Sequence, residues 1–185
     1  IRRQRQMCIR DRDYYDQELV RHVAEKTGFA ERYIEETGEY SASKSRLAYA
    51  FSSVGSPEVM NGLSASDYLW TVQRKVILDL AEKGNCVIVG RCADAVLRER
   101  ADVLNIRVYA PYEHRLWVCT TQLGMDERTA KKMIERVDRS REQYHREYGG
   151  CEPDHLSHIL INSARFTVPE AASTLCGIAR QWFEL

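Results

Sequence analysis

The chain has 185 residues and a mass of 21.4 kDa, the size of one domain able to enclose a core between two layers of secondary structure. Its 27 basic and 27 acidic residues cancel, which removes any global field toward nucleic acid or an anionic membrane. The hydrophobic fraction of 44% is that of an ordinary soluble protein, and no apolar run approaches the roughly 20 residues that a membrane helix requires.

From Asp16, a residue type suited to capping, the run Gln17 to Thr27 places Leu19, Val20, Val23 and Ala24 on one face and stops at Gly28, the pattern of an amphipathic helix. Residues 30 to 37 read as a short second helix. Gly38 to Asp67 is rich in Ser, Gly and Ala and contains Pro57, which reads as a partly mobile insert. From Asp67 to Lys83, Leu69, Val72, Val76, Ile77 and Leu80 follow the helical period, with Gly84 at the stop. Cys86 to Val89 is a continuous apolar, β-branched run without alternation, which predicts a parallel strand buried on both faces that delivers Arg91 to an anion-binding cleft.

A helix is predicted over roughly 92 to 99, a strand over Val103 to Ala110 ended by Pro111, and a helix over 112 to 122. Asp126 opens a long, highly charged helix that runs to the Gly149-Gly150 pair. His158 to Ile161 reads as a third apolar strand, and Pro169 to Phe183 as a closing helix with Leu175, Ile178, Ala179 and Trp182 on one side. Strands separated by helices imply right-handed crossovers and a parallel sheet covered on both faces, with ligands at the carboxyl ends of the strands. Arg91 lies at one such end, Asn162 and Ser163 at another.

Six cysteines, at 8, 86, 92, 119, 151 and 176, form no C-x-x-C pair and have no histidine at metal-ligand spacing. They read as free thiols of a cytoplasmic protein without a metal site. Arg91 follows a glycine at a strand end, where a forked guanidinium can meet a phosphate or a base edge through two parallel hydrogen bonds, or form a surface salt bridge. Gln73 falls between Leu69 and Ile77 on an apolar stripe, where an unpaired amide would cost about 1 to 3 kcal/mol; it needs a partner, for which a substrate base is one candidate. Arg136, Arg139 and Arg146 share a stripe of the charged helix while Arg141 points the other way, and Glu135 with Arg139 and Glu142 with Arg146 have the spacing of ordinary exposed ion pairs. His155 and His158 have no nucleophile or third ligand nearby and read as structural, and the Tyr and Trp residues read mostly as core.

Four pieces in order, Tyr14-Tyr15-Asp16-Gln17-Glu18-Leu19, Cys86-Val-Ile-Val-Gly-Arg-Cys-Ala-Asp94, Val108-Tyr-Ala-Pro111 and Val137-Asp-Arg-Ser-Arg141 with Tyr144, resemble the cytidylate kinase-like family of P-loop nucleoside monophosphate kinases. The resemblance implies a three-layer α/β/α fold on a five-stranded parallel sheet, a substrate-binding insert over 38–66 and an arginine-bearing lid over about 125–150. It also implies transfer of the γ-phosphoryl group of ATP, with Mg2+ bridging the phosphates, to CMP or a similar acceptor, so the expected partners are small-molecule nucleotides, with neither membrane nor nucleic acid. On the family pattern Arg139 and Arg141 are the catalytic lid residues, Arg136 and Arg146 further lid phosphate ligands, and Asp16, Gln73, Arg91 and Asp94 bind the acceptor. Asp16 and Asp94 are equally explained as helix caps.

The glycine-rich turn that such a kinase uses to cradle the β-phosphate has no counterpart here: residues 1 to 13 contain no glycine, and no Gly-Lys pair occurs in the chain. The expectation is therefore a foreign or truncated segment over 1–13 joined to a kinase-like domain over 14–185, lacking the central P-loop strand and inactive as it stands. The alternative is a non-catalytic nucleotide-binding or regulatory module. The five arginines between Arg2 and Arg12 suggest a nucleic-acid arm least of all, since the stretch has no aromatic residue to stack on a base.

Overall fold

The structure is a computed structural model that describes residues 13–29, 31, 34, 64–150 and 156–184. In chain order the elements are β1 (Asp13–Tyr15), α1 (Gln17–Thr27), α2 (Ala65–Lys83), β2 (Cys86–Ile88), α3 (Ala93–Val96), β3 (Ile106–Tyr109), α4 (Tyr112–Trp117), α5 (Glu127–Tyr144), β4 (Ile159–Asn162) and α6 (Val168–Trp182). Two π-helical segments, Val118–Gln122 and His145–Gly149, continue α4 and α5. The expected segment over 1–12, the insert up to residue 63 and, apart from residues 31 and 34, the expected helix over 30–37 lie outside the described residues; Ser64 to Ser66 belong to the cap and first turn of α2.

The strands form two parallel pairs. β1 pairs with β2 in the register Asp13↔Cys86, Tyr14↔Val87 and Tyr15↔Ile88, and β3 pairs with β4 from Ile106↔Ile159 to Tyr109↔Asn162. This is the α/β organisation with parallel strands that the alternation of elements implies. Among the described residues no ladder joins β2 to β3, so the sheet is two pairs of strands rather than five in a row.

One correction follows for β2. The apolar run Cys86 to Val89 was expected to be buried on both faces, yet Val87 is 39% and Val89 43% exposed. Among the described residues its backbone meets a partner strand only on the β1 side, and the apolar character that a central strand requires is present without described neighbours that cover it.

The principal core lies where α1 and α2 pack on each other and on the first strand pair. Leu19, Val23 and Ile77 are fully buried there, each contributing about 1.5–3 kcal/mol by leaving water. The helices are stopped and started by their own side chains: Ser64, Asp126 and Thr167 accept hydrogen bonds from the third amide of α2, α5 and α6, and Gly28 N–H closes α1 on Ala24 O at 2.8 Å. A smaller cluster of Cys119, Ala130 and Ile134 joins α4 to α5, reinforced by Arg115 Nη1 donating to Asp138 Oδ1 at 2.7 Å. The apolar side of α6 is only partly covered, and Trp182 remains 44% exposed, stacked on His158 with ring centroids 4.9 Å apart. No helix among the described residues is long and apolar enough to cross a membrane.

Candidate functional site

The carboxyl end of β2 runs into a turn of unusual backbone. Gly90, Arg91 and Cys92 all have positive φ, at 71°, 60° and 53°. Glycine adopts this region freely, but two successive non-glycine residues there cost on the order of 1–3 kcal/mol each and persist only where surrounding contacts impose them. The turn is closed by Ala93 N–H on Gly90 O at 3.1 Å and leads into α3 through Val96 N–H on Cys92 O at 3.0 Å. Its outcome is that Arg91 lies 8% exposed, held in the body of the protein rather than on an open surface.

Gln73, on the buried stripe of α2, sits against this turn. Its Nε2 donates to Arg91 O at 3.1 Å and to Tyr144 Oη at 2.9 Å. The partner that the sequence demanded for this amide is therefore the backbone of the arginine turn together with a tyrosine at the end of α5. Burial drives the Tyr144 phenol strongly upward in pKa, while the hydrogen bond from Gln73 acts in the opposite direction. Asp94, in α3, points its carboxylate at the segment that continues α5: both oxygens contact His145 Nε2, at 2.9 and 3.2 Å. The His145 side chain is 10% exposed and that of Asp94 28%.

An aromatic cluster closes the far side. Trp70 stacks on Tyr148 with centroids 4.9 Å apart and meets Tyr144 edge-on at 6.1 Å. The Tyr148 phenol is pushed up to about 12 by burial first and by the carboxylates of Glu147 and Asp67 second. Gln73, Arg91 and Asp94 are thus brought into one neighbourhood, joined by Tyr144 and His145.

The other expected site residues are placed separately. Asp16 follows β1, and Val89 N–H bonds Tyr15 O at 3.0 Å, so the register carried on by one residue sets Asp16 beside the entry to the turn. Its side chain does not cap α1; it accepts a hydrogen bond from Tyr14 Oη at 3.1 Å. Arg136, Arg139, Arg141 and Arg146 are exposed on α5 and the turn after it. Arg146 pairs with Glu142 at 3.2 Å, the expected i,i+4 bridge, whereas the Glu135 and Arg139 bridge is not formed. The wider π-helical turn begins at His145, so Arg146 lies beyond the point where an α-helical stripe holds phase. At the second strand pair, Ser163 ties the strand ends together, its N–H and Oγ both donating to Tyr109 O at 2.8 and 3.0 Å.

His145 is the functional neighbour that sequence reasoning missed, and the Tyr and Trp residues read as core include three that frame the site. For the aromatic residues a signal was present, since Tyr144 and Tyr148 are four apart; for His145 there was none. A Cβ at Gly149 would lie 2.6 Å from His145 Nδ1, a contact no real side chain tolerates.

Parallel strand pairs, flanking helices and a buried arginine on a strained turn at a strand's carboxyl end define an α/β protein of the kind whose ligands bind at that end. The family model described as the cytidylate kinase-like family matches residues 11–165, and the chain belongs to that family. A crystal structure of an uncharacterized protein from Eubacterium ventriosum is similar in fold, with a TM-score of 0.58 and 19% identity over 88% of this chain and 90% of that one. No curated protein matches the chain.

Proposed function

We propose that this protein is a nucleoside monophosphate kinase that receives the phosphate of CMP or a similar acceptor at the Gly90–Cys92 turn. The observation that carries the reading is Arg91, buried at a strand end on a backbone that only surrounding contacts can maintain. In a site shielded from water, a guanidinium holds a phosphate through charge-assisted hydrogen bonds far more firmly than at the surface. Asp16, beside the same turn, orients the acceptor, and Gln73 fixes the carbonyl of Arg91. Residues 125–150 act as the lid, from which Arg139 and Arg141, with Arg136 and Arg146, neutralise charge on the phosphate oxygens during transfer. Positioning and neutralisation dominate phosphoryl transfer, so arginines suffice for this part. The insert over 38–66 serves in substrate binding, and the cysteines Cys86, Cys92, Cys119 and Cys176, none in a disulfide, suit a cytoplasmic enzyme.

ATP would supply the phosphoryl group, and Mg2+ would supply charge to offset that of the phosphates. The described residues do not fit the donor side. Among them no three His, Cys, Asp or Glu side chains gather to hold a metal ion, and the N-termini of α2, α5 and α6 are closed by their own caps rather than open to a phosphate. No step is therefore assigned to a donor cradle here. In this reading a strand, glycine-rich loop and helix ahead of β1 provide it, the strand lying between β2 and β3.

The test is conversion of CMP and ATP to CDP by residues 1–185 and by the same chain preceded by such a unit. Turnover is expected only from the second. Equal turnover by both overturns the need for the added unit. Calorimetric binding of CMP with no turnover by either chain overturns the kinase in favour of a non-catalytic nucleotide-binding module.

A further inference from the structure

We propose that the C-terminal end of α5 is a latch on the arginine turn: Tyr144 and His145 are positioning residues that hold Gly90–Cys92, and hence Arg91, in its left-handed conformation. Its functional consequence rests on the reading of Arg91 as the phosphate ligand; the latch itself does not.

The turn does not hold its own conformation. Two of its three positive-φ residues are not glycines, and released from restraint they relax to ordinary backbone. Beyond the local Ala93 N–H to Gly90 O bond, restraint comes from outside the turn. From α2, one amide nitrogen of Gln73 reaches both Arg91 O and Tyr144 Oη, so the tyrosine fixes the rotamer that holds the carbonyl. From α3, Asp94 lies three residues beyond Arg91 and engages His145 with both oxygens. The two links meet the chain on either side of Cys92, and both end on adjacent residues of the lid helix.

A separate observation fixes the histidine. Its ring is wedged between the Asp94 carboxylate at Nε2 and the backbone of Gly149, where a Cβ would lie 2.6 Å from Nδ1 and 2.9 Å from Cε1. Gly149 is not among the glycines with positive φ, so alanine suits its backbone, and the whole penalty of that substitution falls on the ring. The stretch of α5 up to Asp138 is anchored elsewhere, by Ile134 against Cys119 and by Arg115 to Asp138. The two ends of the lid helix are therefore held by different contacts, and it is the C-terminal end that meets Gln73 and Asp94 beside Arg91.

Amide hydrogen exchange of the whole chain tests this without any ligand. Gly149→Ala is expected to speed exchange over 91–96 at least about tenfold while leaving Leu19–Val23 and Ile77 unchanged. Tyr144→Phe, which only deletes a hydroxyl, should do the same to a smaller degree and stands in should Gly149→Ala fail to fold. In a His145→Ala background the Gly149→Ala change should add nothing, because the ring it strikes is gone. Uniform acceleration across the chain, or none over 91–96, overturns the latch. CMP titration is read in parallel: faster local exchange with several-fold weaker CMP binding supports both proposals, whereas faster local exchange in a chain that never binds CMP supports the latch and overturns the acceptor reading.

Discussion

A leucine at position 73 would fill much the same volume as the glutamine but leave Arg91 O and Tyr144 Oη without the donor they share. Removing one partner of a buried hydrogen bond costs more than the bond is worth, because the abandoned group keeps its desolvation penalty. Gln73→Leu is therefore expected to lower unfolding free energy by about 1–3 kcal/mol in urea titration, and Gln73→Glu, which has no N–H when ionised, to be no better. A Gln73→Leu midpoint equal to that of the parent would show that these bonds are dispensable. Arg91 calls for a different measurement, since its proposed role is in binding. Arg91→Lys keeps the charge and loses the planar fork, so CMP affinity should fall about tenfold or more by calorimetry; unchanged affinity would remove Arg91 from the acceptor site. Gln73 could be singled out from sequence because one polar residue on an apolar helical stripe is a physical contradiction until its partner is found. His145 could not, because a histidine among Arg, Glu and Gln reads as part of a solvated face, and its partner lies 51 residues away.

Among the elements, α5 shows how far periodicity reaches. Asp126 caps it as the sequence implies, its side chain accepting from Thr129 N–H at 2.9 Å, and Gly150 adopts the left-handed conformation that ends it. The change to π-helical geometry at His145 left no mark in the hydrophobic pattern, since it is dictated by what the segment packs against: Trp70, Asp94 and Gln73, all distant in sequence. This end also carries a pH signature. The Tyr148 phenol is raised from 10.0 to about 12, chiefly by burial, and Tyr144 is raised further. In the folded state both keep a proton that the unfolded chain releases, so their contribution to stability is complete below about pH 10 and is lost as pH rises from there through about 12. The urea midpoint should accordingly fall between about pH 9 and about pH 11. Tyr148→Phe should flatten part of that fall, and the double change with Tyr144→Phe more of it. A fall of the same steepness in the double variant would place its cause in other groups.

For the molecule as a whole, the order of the helices and of β2, β3 and β4, and the buried faces of α1 and α2, were legible because each rests on local period and local stop signals, whereas β1, only three residues long, carried no such signal. The arrangement of strands into pairs was not, since it depends on which backbone edges find partners. β2 and β3 show the difference. Val87, Val89 and Val108 are 39%, 43% and 59% exposed, although runs such as Cys86 to Val89 have the composition of strands covered on every side. Open parallel edges with apolar residues beside them invite pairing with another chain. If a strand ahead of β1 lies between β2 and β3, residues 1–185 without it should self-associate at micromolar concentration and bind a hydrophobic dye. Both properties should recede when the strand, loop and helix are added. Light scattering and dye fluorescence on the two chains decide this. A monodisperse, dye-negative chain of 185 residues would mean that the two strand pairs already satisfy each other, and the donor unit would then have to dock elsewhere.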